Sequence, residues 1–293
     1  MIDYAEHKFV TVHDARYCFL EAGSGPMVML LHGYPDNAYS WEQQIRFLSD
    51  AGYRVVAPFL RGYAPTQVGE QSFFDRATLA KDIEALIDTL NGGEPIILVG
   101  QDWGAAVSYG VLGAFPEKVR RAMLLAVPHP IEISRTLKRS PRQALRSFHW
   151  FVFQLPLLPE LGIRGSRGWF LMFLWWLCSP TFVDHKHARI AVEMILQGPG
   201  VKHTLAYYRA ALQERFRDPE LASVYAKLDN QITVPVRVLC GSRDMRKEML
   251  PRQTDLFDKR ADYQWTLIDG AGHFLHREQP PLVNQEILKW ICP

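Results

Sequence analysis

Four short motifs, each at or just past the end of an apolar run, carry side chains that could perform nucleophilic catalysis. The runs and their motifs are 27–31 with HGYPD, 96–99 with GQDWG, 236–240 with GSRDM, and 264–268 with GAGHF. If the runs are parallel strands, their carboxyl ends meet at one edge of the sheet, where ligands bind. The sequence therefore predicts that Asp102, Asp244 and His273 lie together, in the chain order nucleophile, acid, histidine.

Asp102 occupies the middle of a G-x-D-x-G turn between a predicted strand and a predicted helix. Gly100 and Gly104 flank it because such a turn is too tight for side chains. The helix N-terminus favours negative charge, so a carboxylate there stays ionised. Asp is also a favoured N-cap, which would explain an isolated motif of this kind. With His273 and Asp244 in register, a nucleophile is the favoured interpretation.

A carboxylate nucleophile restricts the reaction. Attack on a carbonyl would give an anhydride, whereas attack on an sp³ carbon gives an alkyl ester, as when an epoxide opens or a halide leaves. His273 would then activate water to hydrolyse that ester, and Asp244 would orient the imidazole. The backbone N–H groups of Trp103 and Tyr34 are the expected oxyanion donors. His32 is expected to brace the HGYP loop.

The elements that must position these residues alternate between strand and helix. A hairpin over 9–20 is followed by strands and helices up to about residue 128, and the alternation resumes at 236. This pattern predicts an α/β fold with a mostly parallel, doubly wound sheet. We expect a core over 1–128 and 231–293, and a helical cap over 129–230 that covers the site.

Composition excludes several other classes of protein. The 293 residues carry a net charge of +2, which gives no reason to expect nucleic acid as a partner. Four scattered cysteines fit a reducing cytoplasm, and no metal site is expected. The N-terminal MIDYAEHKFV lacks a secretory pattern, and the apolar segment 168–178 is too short to span a bilayer.

Together, these residues resemble the α/β-hydrolase-fold epoxide hydrolases. The matching stretches are HGYPDNAYSW (32–41), LRGYAPT (60–66, with Ala64 and Thr66 departing from the family pattern), GQDWG, GSRD and GAGHFLHREQP (270–280). The resemblance implies an α/β-hydrolase fold with an inserted cap and hydrolysis of epoxides to vicinal diols through an alkyl-aspartyl intermediate. Haloalkane dehalogenases share the Asp nucleophile, but their residue after His-Gly is commonly Asn, where this chain has Tyr34.

Family epoxide hydrolases place two cap tyrosines over the ring oxygen. LAYYRA (205–210) is similar to one of these segments and makes Tyr208 the matching residue, whereas His149 stands where the second tyrosine is expected. His149 could replace the phenol as a proton donor, or it could only pack. Pro35, Trp150 and Phe153 are expected to line the substrate pocket.

Two other functions stay open beside epoxide hydrolysis. One is haloalkane dehalogenation through the same Asp102, and the other is non-catalytic ligand binding on the same fold. The expected partners are a small apolar epoxide and water, with no cofactor. A monomer and a homodimer both remain compatible with the sequence.

Overall fold

The computed structural model describes residues 5–292. Its strands, β1 to β9, are Glu6–Val12, Ala15–Ala22, Met27–Leu31, Arg54–Pro58, Gln67–Val68, Ile96–Gln101, Val119–Leu125, Val236–Gly241 and Tyr263–Ile268. Its α-helices, α1 to α13, are Glu42–Asp50, Arg76–Asn91, Trp103–Ala114, Pro130–Arg139, Pro141–Arg146, Phe148–Val152, Leu158–Gly165, Trp169–Cys178, His185–Leu196, Gly200–Leu212, Ala222–Tyr225, Leu275–Glu278 and Pro280–Ile291. Short 3-10 segments are Ala38–Trp41, Pro116–Lys118, Glu214–Phe216, Pro219–Leu221, Lys247–Arg252 and Thr254–Leu256.

The strands form one mostly parallel sheet in the order β1-β2-β4-β3-β6-β7-β8-β9, with β5 beside β2. Strands β3 and β6 are buried along their whole length, as expected for central strands covered on both faces. The antiparallel pairs are β1–β2, β2–β4 and β2–β5, and the parallel pairs are β3–β4, β3–β6, β6–β7, β7–β8 and β8–β9. The α/β-hydrolase fold predicted from the sequence is confirmed.

The register of the central strands brings the functional motifs to one edge. Leu31, the last residue of β3, pairs with Gly100, and Gly100 pairs with Leu124 of β7. Residues that follow these strands therefore emerge side by side. Strand β7 ends at Leu125, two residues earlier than the sequence predicts, because Ala126 adopts a positive φ of 66° and turns the chain.

Helices cover the sheet, and capping residues determine where they begin and end. Helix α2 packs against α3, and α1 against α13. The Asp75 carboxylate accepts hydrogen bonds from Ala77 N and Thr78 N at the start of α2, and Gly92 ends the helix in the left-handed conformation. These are the N-cap and C-cap chemistries that begin and end a helix.

Helices α4 to α11 are inserted between β7 and β8. Two side chains tie the inserted helices to the loops at the carboxyl edge of the sheet. The Tyr207 hydroxyl of α10 donates to the Arg61 carbonyl at 2.7 Å, and His187 Nε2 of α9 lies 2.6 Å from Asp36 Oδ1. The insertion is therefore anchored beside the loops that follow β3 and β4.

The sequence also predicts that the chain has no secretory pattern at its N-terminus and no membrane-spanning segment. Residues 1–4 of the segment examined for a secretory pattern lie outside the described residues. Between residues 5 and 292, the helices fall short of the length and apolarity that a membrane span requires.

Candidate active site

Asp102 sits in a strained turn between β6 and α3. Its φ of 50° and ψ of −116° are unusual for a residue with a side chain, and such strain concentrates at functional sites. A Cβ on Gly104 would lie 2.1 Å from the Leu31 carbonyl oxygen, and one on Gly33 would lie 2.3 Å from Asp102 Cβ. Glycine is therefore required where these backbones approach. The Asp102 carboxylate makes no capping hydrogen bond to the described part of α3, which argues against the helix-cap interpretation.

Asp102, His273 and Asp244 form a continuous hydrogen-bonded chain. His273 Nε2 lies 3.1 Å from Asp102 Oδ2, and His273 Nδ1 lies 2.8 Å from Asp244 Oδ2. The three residues come from the ends of β6, β9 and β8. The sequence motifs alone predicted this convergence, and it has the nucleophile–base–orienter geometry of a triad.

Charge sets the protonation state of this chain. Burial alone would raise the pKa values of Asp102 and Asp244, but His273 and Arg246 outweigh it and hold both below their usual values. Burial and the Arg246 charge lower the pKa of His273, but the two carboxylates beside it outweigh them and leave that pKa raised. Both carboxylates are therefore ionised at neutral pH, ready to accept hydrogen bonds.

The loop after β3 supplies a backbone donor to the Asp102 carboxylate. Tyr34 N–H donates to Asp102 Oδ1 at 2.9 Å, and Trp103, the other predicted donor, begins α3 directly after Asp102. His32 Nε2 accepts from Leu60 N–H at 3.0 Å, so its Nδ1 donates to the Gly33 carbonyl. Burial lowers the pKa of His32 to about 4 and keeps the ring neutral. His32 thus braces the loop, as predicted.

A cavity of about 760 Å³ opens above Asp102. Trp103, Trp150 and Tyr208 line it, and each indole ring meets the Tyr208 ring edge-on, with centroids 5.1 and 5.3 Å away. Apolar side chains of α4 add to a mainly apolar wall, which suits an apolar ligand, and charged side chains that include Arg135 and Arg246 also line the cavity.

The two adjacent tyrosines of α10 have different surroundings. Tyr208 lines the cavity with Asp102, whereas the Tyr207 hydroxyl is committed to the Arg61 carbonyl. Burial raises the pKa of Tyr208 well above 10, against a hydrogen bond with the Trp103 side chain that lowers it. Tyr208 is therefore a neutral phenol at neutral pH and can donate a proton.

Other predicted residues lie further from the cavity. Among the described residues, those that line the cavity do not include His149, Pro35 or Phe153. For Pro35 and Phe153 the structure differs from the prediction. Pro35 is buried in its loop, and Phe153 is enclosed, with its ring centroid 5.0 Å from that of Tyr208 and 5.9 Å from that of Tyr34.

His149 is buried beside Tyr208, with ring centroids 5.9 Å apart. Its Nδ1 has no hydrogen-bond partner among residues 5–292. Burial, with the Arg246 charge, lowers its pKa to about 3. His149 is therefore neutral near pH 7, where it can donate a hydrogen bond but does not act as an imidazolium acid.

The sequence reasoning missed Arg246. Its side chain is 9% exposed, lines the cavity with Asp102, and places Nη1 3.1 Å from His273 Nδ1. The one available signal was its position two residues after Asp244, whose Oδ1 accepts the Arg246 N–H at 2.7 Å. Arg243, in the same motif, is exposed, so residue type alone does not distinguish the two arginines.

The described part of the chain contains no group of three or more His, Cys, Asp or Glu side chains arranged to hold a metal ion. The fold and the triad define the class of protein. The chain matches the α/β hydrolase fold family over residues 26–280 and belongs to that family.

Known relatives match almost the entire chain. Epoxide hydrolase 3 of Siraitia grosvenorii is 34% identical to it, and the AB hydrolase superfamily protein YfhM of Bacillus subtilis is 30% identical. Each alignment covers 99% of this chain and 99% of the relative. The crystal structure of an epoxide hydrolase from Vigna radiata superposes with a TM-score of 0.78 at 26% identity, covering 99% of both chains.

Proposed function

We propose that this protein hydrolyses epoxides to vicinal diols through a covalent ester on Asp102. The observation that carries the proposal is the ionised Asp102 carboxylate at the cavity, within 3.1 Å of His273 Nε2. A carboxylate in this position is suited to attack an sp³ carbon. The relatives named epoxide hydrolases support the same substrate class.

In the first half-reaction, Asp102 attacks an epoxide carbon and the carbon–oxygen bond of the ring breaks. The resulting alkoxide is a poor leaving group unless it is protonated, and Tyr208 is the phenol available in the cavity to do this. Neutral His149, packed beside Tyr208, is our candidate for a supporting hydrogen-bond donor. Its unpartnered Nδ1 is consistent with such a role.

In the second half-reaction, His273 Nε2 accepts a proton from water, and the water oxygen adds to the Asp102 ester carbonyl. The tetrahedral oxyanion forms where Tyr34 N–H already donates to Asp102 Oδ1, with Trp103 N–H as the second donor. Collapse breaks the bond to the diol oxygen, which takes its proton from His273. The second water proton leaves the Asp102 carboxyl for solvent, and solvent has already returned a proton to the Tyr208 phenolate. Asp244 stabilises the imidazolium that forms in between.

We assign residues 129–230 as the cap and the remainder as the hydrolase core. The cap would supply Tyr208, Trp150 and His149 and exclude bulk water from the ester. Apolar lining of the cavity favours an apolar epoxide, with water as the second substrate. A cytoplasmic location stays a prediction from the sequence. We propose that the protein is a monomer or a homodimer.

Haloalkane dehalogenation is the second candidate. The Arg246 guanidinium in the cavity wall favours it, because a fixed cation near Asp102 would stabilise a departing halide. Halide departure needs no proton, so the Tyr208 phenol would then be dispensable. Tyr34, in place of the commonly found Asn, favours the epoxide.

A substrate panel separates these functions. Terminal, cyclic and aryl epoxides are compared with chloro- and bromoalkanes, following diol and halide release by wild type and Asp102→Ala. We expect diol formation that Asp102→Ala abolishes. Halide release well above epoxide turnover would favour the dehalogenase. Ligand binding without any turnover, unchanged in Asp102→Ala, would favour a binding protein.

A further inference from the structure

Arg246 approaches the catalytic histidine as a charge. Asp244 is ionised and can only accept, so His273 Nδ1 must carry the hydrogen that is donated to Asp244 Oδ2. The Arg246 Nη1 atom, 3.1 Å from that same Nδ1, also carries hydrogens. Two donors cannot bond each other, so the contact acts on His273 electrostatically.

Arg246 has no close carboxylate partner among the described residues. The nearest ion-pair contact is 3.7 Å, from Nη1 to Asp244 Oδ1. That oxygen already accepts the Arg246 backbone N–H, and Oδ2 accepts from His273. The guanidinium therefore lies near Asp244 and Asp102 with no contact shorter than 3.7 Å to a carboxylate oxygen of the described residues, and its charge acts on His273 in a buried site, where Coulomb interactions are strong.

The other titratable groups around His273 do not screen this charge. The thiol of Cys178 on α8 is neutral because burial raises its pKa to about 11, and His149 on α6 is neutral. Burial lowers the pKa of His276 on α12 to about 3. Glu278, also on α12, directs its carboxylate to Ser179, Thr181 and backbone N–H groups. The charges facing His273 are thus Asp102, Asp244 and Arg246.

We propose that Arg246 is a positioning residue that keeps His273 deprotonated in the alkyl-enzyme, and so sets the pH at which the ester is hydrolysed. This inference rests on the proposed function. Before attack, two carboxylates and one guanidinium surround His273, with a net charge of −1. Esterification of Asp102 removes one negative charge, so Asp244 and Arg246 balance once solvent has reprotonated the Tyr208 phenolate. His273 loses the stabilisation of its cationic form at the step that requires it as a base.

Without Arg246, the alkyl-enzyme would leave Asp244 uncompensated, and His273 would hold its proton to higher pH. Protonated His273 cannot accept the proton of the attacking water. The ester would therefore persist at pH values where the wild type hydrolyses it. Attack by Asp102 on the epoxide does not require this base and would continue.

The test measures the alkyl-enzyme directly across pH 5–9. Rapid quenching followed by intact-protein mass spectrometry gives the rates of ester formation and decay for each variant. The variants are Arg246→Met, Arg246→Gln as a second neutral replacement, and Arg246→Lys, which retains the charge. Arg243→Met, which removes an exposed arginine from the same loop, is the matched control.

We expect both neutral variants to form the ester, which reports an intact site. The pH midpoint of ester decay should rise by about one unit or more, since one unit charge acts at close range. Arg246→Lys should return the midpoint toward wild type, and Arg243→Met should leave it unchanged. Unchanged midpoints in both neutral variants, or an equal shift in Arg243→Met, would overturn the inference. Epoxide turnover by wild type without any Asp102 ester would instead overturn the proposed function.

Discussion

Replacing Tyr208 with phenylalanine removes one hydroxyl and separates ring opening from the rest of the reaction. Because burial raises the pKa of Tyr208 well above 10, the wild-type phenol is protonated across the working pH range. Tyr208→Phe keeps the ring, and with it the edge-on contacts to Trp103 and Trp150. The change therefore tests proton donation with little change in packing.

A positioned general acid contributes about a hundredfold to ten-thousandfold. His149, packed against the same ring, could retain part of this contribution as a neutral hydrogen-bond donor. We therefore expect Tyr208→Phe to slow ring opening by about a hundredfold to a thousandfold, or about 3–4 kcal/mol in the barrier. Tyr208→Phe combined with His149→Phe should slow it further.

Tyr207→Phe is the matched control, one residue away on the same helix. Its hydroxyl donates to the Arg61 carbonyl, so its loss should cost about 1 kcal/mol of stability and leave ring opening near the wild-type rate. Single-turnover ester formation, followed by rapid quenching, measures the step. A bromoalkane is the chemical control, because halide departure needs no acid.

Three results would refute the assignment of Tyr208. The first is ester formation from an epoxide at the wild-type rate in Tyr208→Phe. The second is an equal loss in Tyr207→Phe, which would show that the helix is disturbed as a whole. If the bromoalkane were slowed as strongly as the epoxide, the hydroxyl would act through structure and not as an acid.

Three further predictions concern the framework. Gly33→Ala should reduce ester formation at least about a hundredfold in a folded protein, measured in single turnover, because its Cβ would meet Asp102 Cβ at 2.3 Å. Arg61→Met should lower the free energy of unfolding in urea by about 3–5 kcal/mol, since Arg61 pairs with buried Asp82 at 2.7 Å; a loss below about 1 kcal/mol would contradict this. Stability should fall as the pH drops from about 6.5 toward 4, by up to about 1.4 kcal/mol per pH unit for each histidine whose pKa burial lowers, because the unfolded state binds the proton first. These histidines are His32, His129, His149 and His276, which are buried, and His203, which is only partly buried and contributes less. Urea titrations from pH 7 to 5 measure this slope, and a flat profile would be inconsistent with it.

The triad was predictable because its geometry follows from topology. Parallel strands end at one edge of a sheet, so motifs that end successive strands must converge there. The apolar runs 27–31 and 96–99 predicted β3 with its observed bounds and β6 with its end two residues early. The proximity of Asp102 and His273 was therefore predictable from the local patterns that mark the strand ends.

The surroundings of the triad were less predictable. Arg243 and Arg246 lie in one loop, yet one is exposed and the other buried beside His273. Their side-chain directions depend on the loop backbone on either side of Asp244, which no sequence period encodes. Phe153 lies behind Tyr208 and not in the cavity wall, because tertiary packing of short helices decides which aromatic faces inward.

The central claim is that Asp102 itself bonds to the substrate. The most direct test is a single turnover in ¹⁸O-water with enzyme in excess over an unlabelled epoxide. The diol should then leave with its second oxygen taken from Asp102, and the peptide containing Asp102 should gain one ¹⁸O. A diol that carries ¹⁸O after this first turnover, with Asp102 unlabelled, would contradict the account.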